Sequence, residues 1–231
     1  MSFSFIFASE DPTETEHWEK VRQLDQLAER FKAETGFTGN VNYYSDRMKL
    51  HSYEGKFADI PYSANADADT TSFRQACTRV LDKILPYSYA NHNQLSMSRI
   101  SKRSGYISTD YYQQVNGYRV EGSGFFMITY DIGRHRFDIG DNTVELPDEP
   151  LGKLISESEA YQIAFDKYKQ TDLYNAAYPV RSRTVIYYKS RKIDGKSQPY
   201  RLYWRVTFPS ISYFIDAITE DTFTEGYVIN Q

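Results

Sequence analysis

Four histidines and one cysteine are the residues of this chain best suited to metal or nucleophilic chemistry, and their spacing serves neither. His17, His51, His92 and His135 stand far apart, with no i,i+4 pair and no carboxylate at metal-site spacing. Each therefore reads as a surface or packing residue. Cys77 is alone, which excludes an intrachain disulfide and a zinc-finger site. It falls on the apolar stripe of a predicted helix, where burial disfavours the thiolate, and reads as a core thiol. Two groups of oxygen ligands suit calcium in part: Asn65, Asp67 and Asp69 ahead of a helix, and Asp138, Asp141 and Glu145 around a turn. Neither has the glycine and terminal glutamate of an EF-hand loop, so the plainer readings are a helix N-cap region and a solvated turn. Glu121 and Asp216 lie in separate strands, and nothing in the spacing brings them to one cleft as a glycosidase pair requires. HExxH, G-x-S-x-G, the P-loop and a strand-borne GxGxxG are all missing from the sequence. Gly122-Ser123-Gly124 runs on into a strand, without the helix N-terminus that would hold a phosphate. The expectation is a chain without catalytic residues, metal or cofactor.

The elements that would position these residues follow from periodicity. Asp11-Pro12 predicts a helix start. Trp18, Val21, Leu24, Ala28 and Phe31 recur at helical spacing up to Gly36. Short strand candidates follow in VNYY, MKLHSY and FADIPYS. A second helix carries Phe73, Cys77, Val80, Leu81 and Ile84 on one face and closes at Pro86. The runs LSMSRIS, GYISTDYYQQ, YRVEGSGFFMITYD and RHRFDIG fit an antiparallel meander, with Asn116-Gly117 as a tight positive-φ turn. The acidic, proline-bearing run from Leu146 to Gly152 marks a boundary. Beyond it, Ser156 and Glu159 form a capping box for a third helix with Ala160, Ile163 and Ala164 on one stripe. Strands SRTVIYYK, PYRLYWRVTF, SYFIDAI and TFTEGYVI complete the chain. In PYRLYWRVTF, Tyr200, Leu202, Trp204, Val206 and Phe208 face one way; Arg201, Tyr203, Arg205 and Thr207 face the other.

Composition narrows the class. Hydrophobic residues at 40% and charged residues at 25% are those of a soluble globular protein. A net charge of −4 and a pI near 5.6 argue against nucleic-acid binding. The densest basic patch, Lys189, Arg191, Lys192 and Lys196, reads as a solvated hairpin turn. The 21 tyrosines and 14 phenylalanines lie mostly in strand-like runs, fitting half-buried sheets first and a binding face second. The apolar start, Phe3 to Ala8, reads either as the tail of a signal peptide or membrane anchor or as a short strand.

The stretch YYQQVNGYRVEGSGFFMITYDIGRHRFDIGDN, with the helix upstream of it, resembles the propeptide module of thermolysin- and fungalysin-type metallopeptidases. The stretches ISESEAYQIAFDKY and YRLYWRVTFPSISYFIDAITED resemble a PepSY domain through the capped S-x-x-E-A helix, the W-R-V strand and the I-D-A return. One departure is the turn after Asp216-Ala217, which reads Ile218-Thr219-Glu220-Asp221 in place of the usual T-G. The resemblance implies an α+β fold of two tandem PepSY-like units, each a helix packed on an antiparallel meander, preceded by an N-terminal helix. The expected division is 1–65 for the N-terminal segment, 66–146 for the propeptide-like unit and 151–231 for the PepSY-like unit.

The same resemblance implies a non-enzymatic protein acting outside the cytoplasm, secreted or anchored to the membrane's outer face through a segment before residue 1. Its partner would be another protein. In the peptidases, such modules act as inhibitor and folding chaperone. In YycH/YycI-type bacterial regulators, similar modules form the ectodomain that restrains a membrane sensor kinase of a two-component system. Contact candidates are Gln113, Gln114, Arg119 and Tyr213, whose ordinary reading is exposed strand positions. A tyrosine-rich carbohydrate binder or hydrolase is the alternative of another class. It requires rings lining a groove beside paired acids, whereas an interaction module requires an open aromatic face.

Overall fold

The computed structural model describes residues 12–44, 48–62, 69–147, 152–177 and 179–226. The apolar start, Asp11, Asn65, Asp67 and the end of TFTEGYVI lie outside the described residues. The chain is α+β and divides into two units. The first runs to Tyr111 and resumes over Phe125–Thr143; the second holds Tyr112–Gly124 and the chain from Val144 onward.

In the first unit, helix α1 (Pro12–Thr35) stops where Gly36 takes φ +67°, a conformation glycine adopts without penalty. Leu24, Ala28 and Phe31 are buried, whereas Trp18 is 56% exposed. The apolar stripe therefore runs past the surface it packs against, and Trp18 is no core residue. Strands β1 (Phe37–Tyr44) and β2 (Lys49–Phe57) form an antiparallel pair. Helix α2 (Thr70–Ile84) is capped by Asp69, whose carboxylate accepts from the backbone N–H groups of Thr71 and Ser72 at 3.1 and 3.3 Å. Strands β3 (Leu95–Arg103), β4 (Tyr106–Val115), β6 (Phe125–Asp131) and β7 (Arg136–Asp141) follow, β4 crossing the unit boundary. The sheet order is β1-β2-β7-β6-β4-β3. Both helices bury their apolar faces in one core with Ile107, Phe126, Ile128 and Phe137. Residues expected to stand apart as an N-terminal segment are thus part of this unit, because β2 pairs with β7 from Ser52↔Gly140 to Gly55↔Phe137.

One charged pair is sealed in this unit. Lys49 Nζ donates to Asp141 Oδ1 at 2.6 Å and to the carbonyl and hydroxyl of Thr143 at 2.9 and 2.7 Å, and both charged side chains are almost fully buried. The spacing that suggested calcium around Asp138 and Asp141 has another use: Asp138 pairs with Arg136, and Asp141 with Lys49.

In the second unit, Asn116 and Gly117 take φ +53° and +82° and turn β4 into the short β5 (Tyr118–Arg119), as the dipeptide predicts. Helix α3 (Glu157–Tyr168) starts at the expected capping box: Ser156 Oγ accepts from Glu159 N, and Ser156 N donates to Glu159 Oε2 at 2.7 Å. Strands β8 (Arg183–Lys189), β11 (Arg201–Phe208), β12 (Ile211–Asp216) and β13 (Thr222–Gly226) form an antiparallel meander, with the small hairpin β9 (Lys192–Ile193) and β10 (Lys196–Ser197) between the first two. Ala164 and Tyr168 of α3 pack on Val206, Phe208, Tyr213 and Ile215, and Tyr168 stacks on Phe208 at 4.3 Å. Each unit thus contains a helix followed by four strands that neighbour one another in chain order, which is the suspected topological repeat. The first unit adds α1, β1 and β2 to that plan.

Candidate interaction surface

The sheet of the second unit carries α3 on one face only, and register fixes what the other face presents. Tyr203 lies opposite Tyr187 and Asp216, Arg205 opposite Val185 and Phe214, and Thr207 opposite Ser212. Phe214 in turn lies opposite Phe223, and Ser212 opposite Glu225. Strand alternation puts all of these on the side away from α3. Tyr187, Tyr203, Phe214, Val185 and Phe223 form an aromatic layer there, with Phe214 and Phe223 stacked at 4.8 Å.

Charged side chains roof this layer. The run Val-Glu-Gly-Ser-Gly leaves the sheet and returns through Gly122 and Gly124, at φ +71° and +74°. A Cβ on Gly124 would lie 2.5 Å from that of Val120, so the return needs glycine for space as well as for φ. The excursion sets Val120 beside Tyr188 in a parallel bridge, and Glu121 N donates to the Tyr188 carbonyl at 2.9 Å. Glu121 then reaches over the rings. Its Oε1 accepts from Arg205 at 2.6 Å and its Oε2 from Lys189 at 3.2 Å, and Lys189 also contacts Glu225 Oε1 at 3.1 Å. The Arg205 guanidinium lies 5.2 Å from the Tyr187 ring centre, Lys189 Nζ 4.9 Å from that of Phe214, and the Arg191 guanidinium 4.8 Å from that of Phe223. Burial, and then Glu121, push the Tyr187 phenol well above its ordinary range, so it stays protonated. The network borders a recess of about 430 Å³ that Gly122, Ser212 and Phe214 also line.

Chemically, this is a self-compensating network over an apolar floor. Its two carboxylates share Lys189. Asp216, the other acid weighed for a glycosidase pair, has separate partners. It is buried, accepts from Ile218 N and Thr219 N at 2.9 and 3.0 Å, and pairs with Arg201 at 3.3 Å. It therefore caps the turn at which the sequence departs from the PepSY pattern. The polar roof also differs from the open aromatic face expected of an interaction module, because the cations cover the rings.

The four contact candidates fare unequally. Gln113 is fully buried: its amide donates to the Val144 carbonyl at 2.8 Å and accepts from Val144 N at 2.9 Å. It is an internal clamp, and not a side chain offered to a partner. Tyr213 is 3% exposed on the α3 side of the sheet, so it too is corrected to a core residue. Gln114 and Arg119 face each other across the β4–β5 ladder; Arg119 is exposed and covers the Tyr112 ring at 4.9 Å. Neither belongs to the Glu121 network. Sequence reading missed Lys189, Arg205 and Glu225, taking Lys189 for part of a solvated turn. The polar parity of Arg205 within PYRLYWRVTF was the one available signal.

The histidines remain apart: His17 stands beside Trp18, His51 reaches the Asp141 carbonyl, His92 pairs with Asp82 and His135 contacts Tyr130. Burial raises the Cys77 thiol to about 12, which makes it a poor nucleophile. Among the described residues, no three His, Cys, Asp or Glu side chains gather as metal ligands, and no helix is long and apolar enough to cross a membrane.

No family model and no curated protein matches the chain. Among solved structures, it is similar to the Bacillus megaterium YpeB C-terminal domain over 88% of this chain and 96% of that one, with 13% identity and a TM-score of 0.32. A likeness of that degree carries no inference about activity or partner.

Proposed function

We propose that the chain is a non-catalytic interaction module acting outside the cytoplasm, and that the helix-free face of its second unit meets a protein partner. The observation that carries this reading is the Arg205–Glu121–Lys189–Glu225 network fixed over an aromatic layer. Aromatic residues and arginine are enriched at protein interfaces, and this face presents Arg191 and Arg205 over phenylalanine and tyrosine rings in place of an open aromatic patch. The specific form we favour is an inhibitor or chaperone-like regulator of a peptidase, which rests on the propeptide-like motifs.

The test has two arms. The purified chain is titrated into the metallopeptidases secreted by the source organism, with peptide hydrolysis as the readout. Saturable inhibition is expected near one-to-one stoichiometry, weakened at least tenfold by Arg205→Glu. Inhibition unaffected by that change would remove the face from the mechanism. Separately, the chain with its native upstream frame is fused to alkaline phosphatase, which is active only after export. An inactive fusion would sink the extracytoplasmic reading, and Glu121-dependent turnover of glycosides would sink the non-catalytic one. Copurification with a sensor kinase, without peptidase inhibition, would select the regulatory-ectodomain form instead.

A further inference from the structure

The Asn116-Gly117 turn joins β4 to β5 with both of its residues exposed, and it is the one place in the chain where asparagine precedes glycine. That pair has chemistry of its own. The backbone nitrogen of the following residue can attack the asparagine Cγ, and a side chain on that residue obstructs the approach. Gly117 has none, and the space where a Cβ would sit is open. Strands β4 and β5 share only two residue pairs, Gln114↔Arg119 and Val115↔Tyr118. A turn held by so short a ladder opens locally far more often than the core does. Opening frees the two residues to rotate into the attacking geometry.

The surroundings of Asn116 single it out a second time. Its side-chain amide approaches the hydroxyl of Tyr188 without reaching hydrogen-bond geometry. Tyr188 is 1% exposed, and its hydroxyl has no hydrogen-bond partner among the described residues. A buried donor left in that state is costly. A carboxylate in place of the Asn116 amide would accept from it in a charge-assisted bond. The fold therefore favours the acid over the amide at this position.

We propose that Asn116 is a site of spontaneous deamidation and that Tyr188 receives the carboxylate it forms. The Gly117 nitrogen bonds to Asn116 Cγ, the side-chain amide leaves as ammonia, and the Gly117 proton reaches that ammonia through solvent. The product is a cyclic succinimide. Water then adds to one of the two ring carbonyls, and the bond from that carbon to the ring nitrogen breaks. Opening at Cγ gives aspartate, restores the backbone and places a carboxylate beside the Tyr188 O–H. Opening at the backbone carbonyl gives isoaspartate, whose extra backbone methylene disrupts a two-residue turn built on φ of +53° and +82°. Either product carries one more negative charge than the parent chain.

The folded chain is incubated in mildly alkaline buffer, and tryptic digests taken at intervals are read by mass spectrometry. The peptide from Ser104 to Arg119 holds Asn116 as its only asparagine. Amide loss is expected there first, roughly tenfold faster than at any other asparagine, or about 1.4 kcal/mol in the barrier. Aspartate should outweigh isoaspartate in the folded chain, and Tyr188→Phe should remove that excess. Independently, Asn116→Asp should raise the thermal midpoint by about 2–4 °C in the parent chain and leave it unchanged in Tyr188→Phe. The same melts establish that Tyr188→Phe folds; should it not, the Asn116→Asp shift in the parent chain still decides. Amide loss no faster at Asn116 than at Asn42 or Asn175, or an Asn116→Asp midpoint equal to or below that of the parent, would each overturn the proposal.

Discussion

In the second unit, Glu121, Lys189, Arg205 and Glu225 compensate one another at the surface. In the first, Lys49 and Asp141 compensate one another in the interior. Both units carry a helix and a four-strand meander in the same spatial order, so the backbone plan does not decide where charge resides. What decides it is which strand position is sealed by the core and which faces solvent. A buried pair must be complete, because an uncompensated interior charge is strongly destabilising. A surface network can exchange partners at little loss.

The contrast breaks most sharply at Lys49. Lys49→Met should destabilise the chain by about 3–5 kcal/mol in urea unfolding followed by circular dichroism, because Asp141 is left buried and uncompensated. Adding Asp141→Asn should recover part of that loss; a loss below about 1 kcal/mol would show the pair to be dispensable. Gln113→Ala comes next, at about 2–3 kcal/mol, since both the N–H and C=O of Val144 lose their partner in a buried place. The surface network should respond least. Glu225→Ala, on a half-exposed carboxylate, should change stability by at most about 1 kcal/mol, and 0.5 M salt should erase the difference. A larger, salt-resistant effect would mean that the network is structural and would weaken the proposal that it serves a partner.

Periodicity and capping chemistry made most of the elements legible. The N-cap of α3, the Asn116-Gly117 turn, the buried face of α2 and the clean alternation of β11 all stand where the residues put them. Trp18 was misread because periodicity shows where a stripe runs and not how far its cover extends. Gln113 and Tyr213 were misread because a polar or amphipathic side chain on a strand has no sequence mark telling whether its face is covered. The Glu121 network was illegible for a different reason. Its members lie far apart in sequence, and only the glycine-bearing excursion from 120 to 124 and the register of four strands bring them together.

Local propensity, alternation and turn chemistry act within a few residues, so the sequence by itself determined the three helices, most of the strands and the α+β class; FADIPYS, expected as a strand, instead turns away after Phe57, where β2 ends. Tertiary structure alone decided that β1 and β2 join the first unit's sheet and that Lys49 finds Asp141, 92 positions further along the chain. It also decided which aromatic rings lie beneath cations. Those outcomes depend on burial and on distances between remote positions. Both arise only when the chain packs, because an ion pair or a covered face is a property of two surfaces and not of one segment.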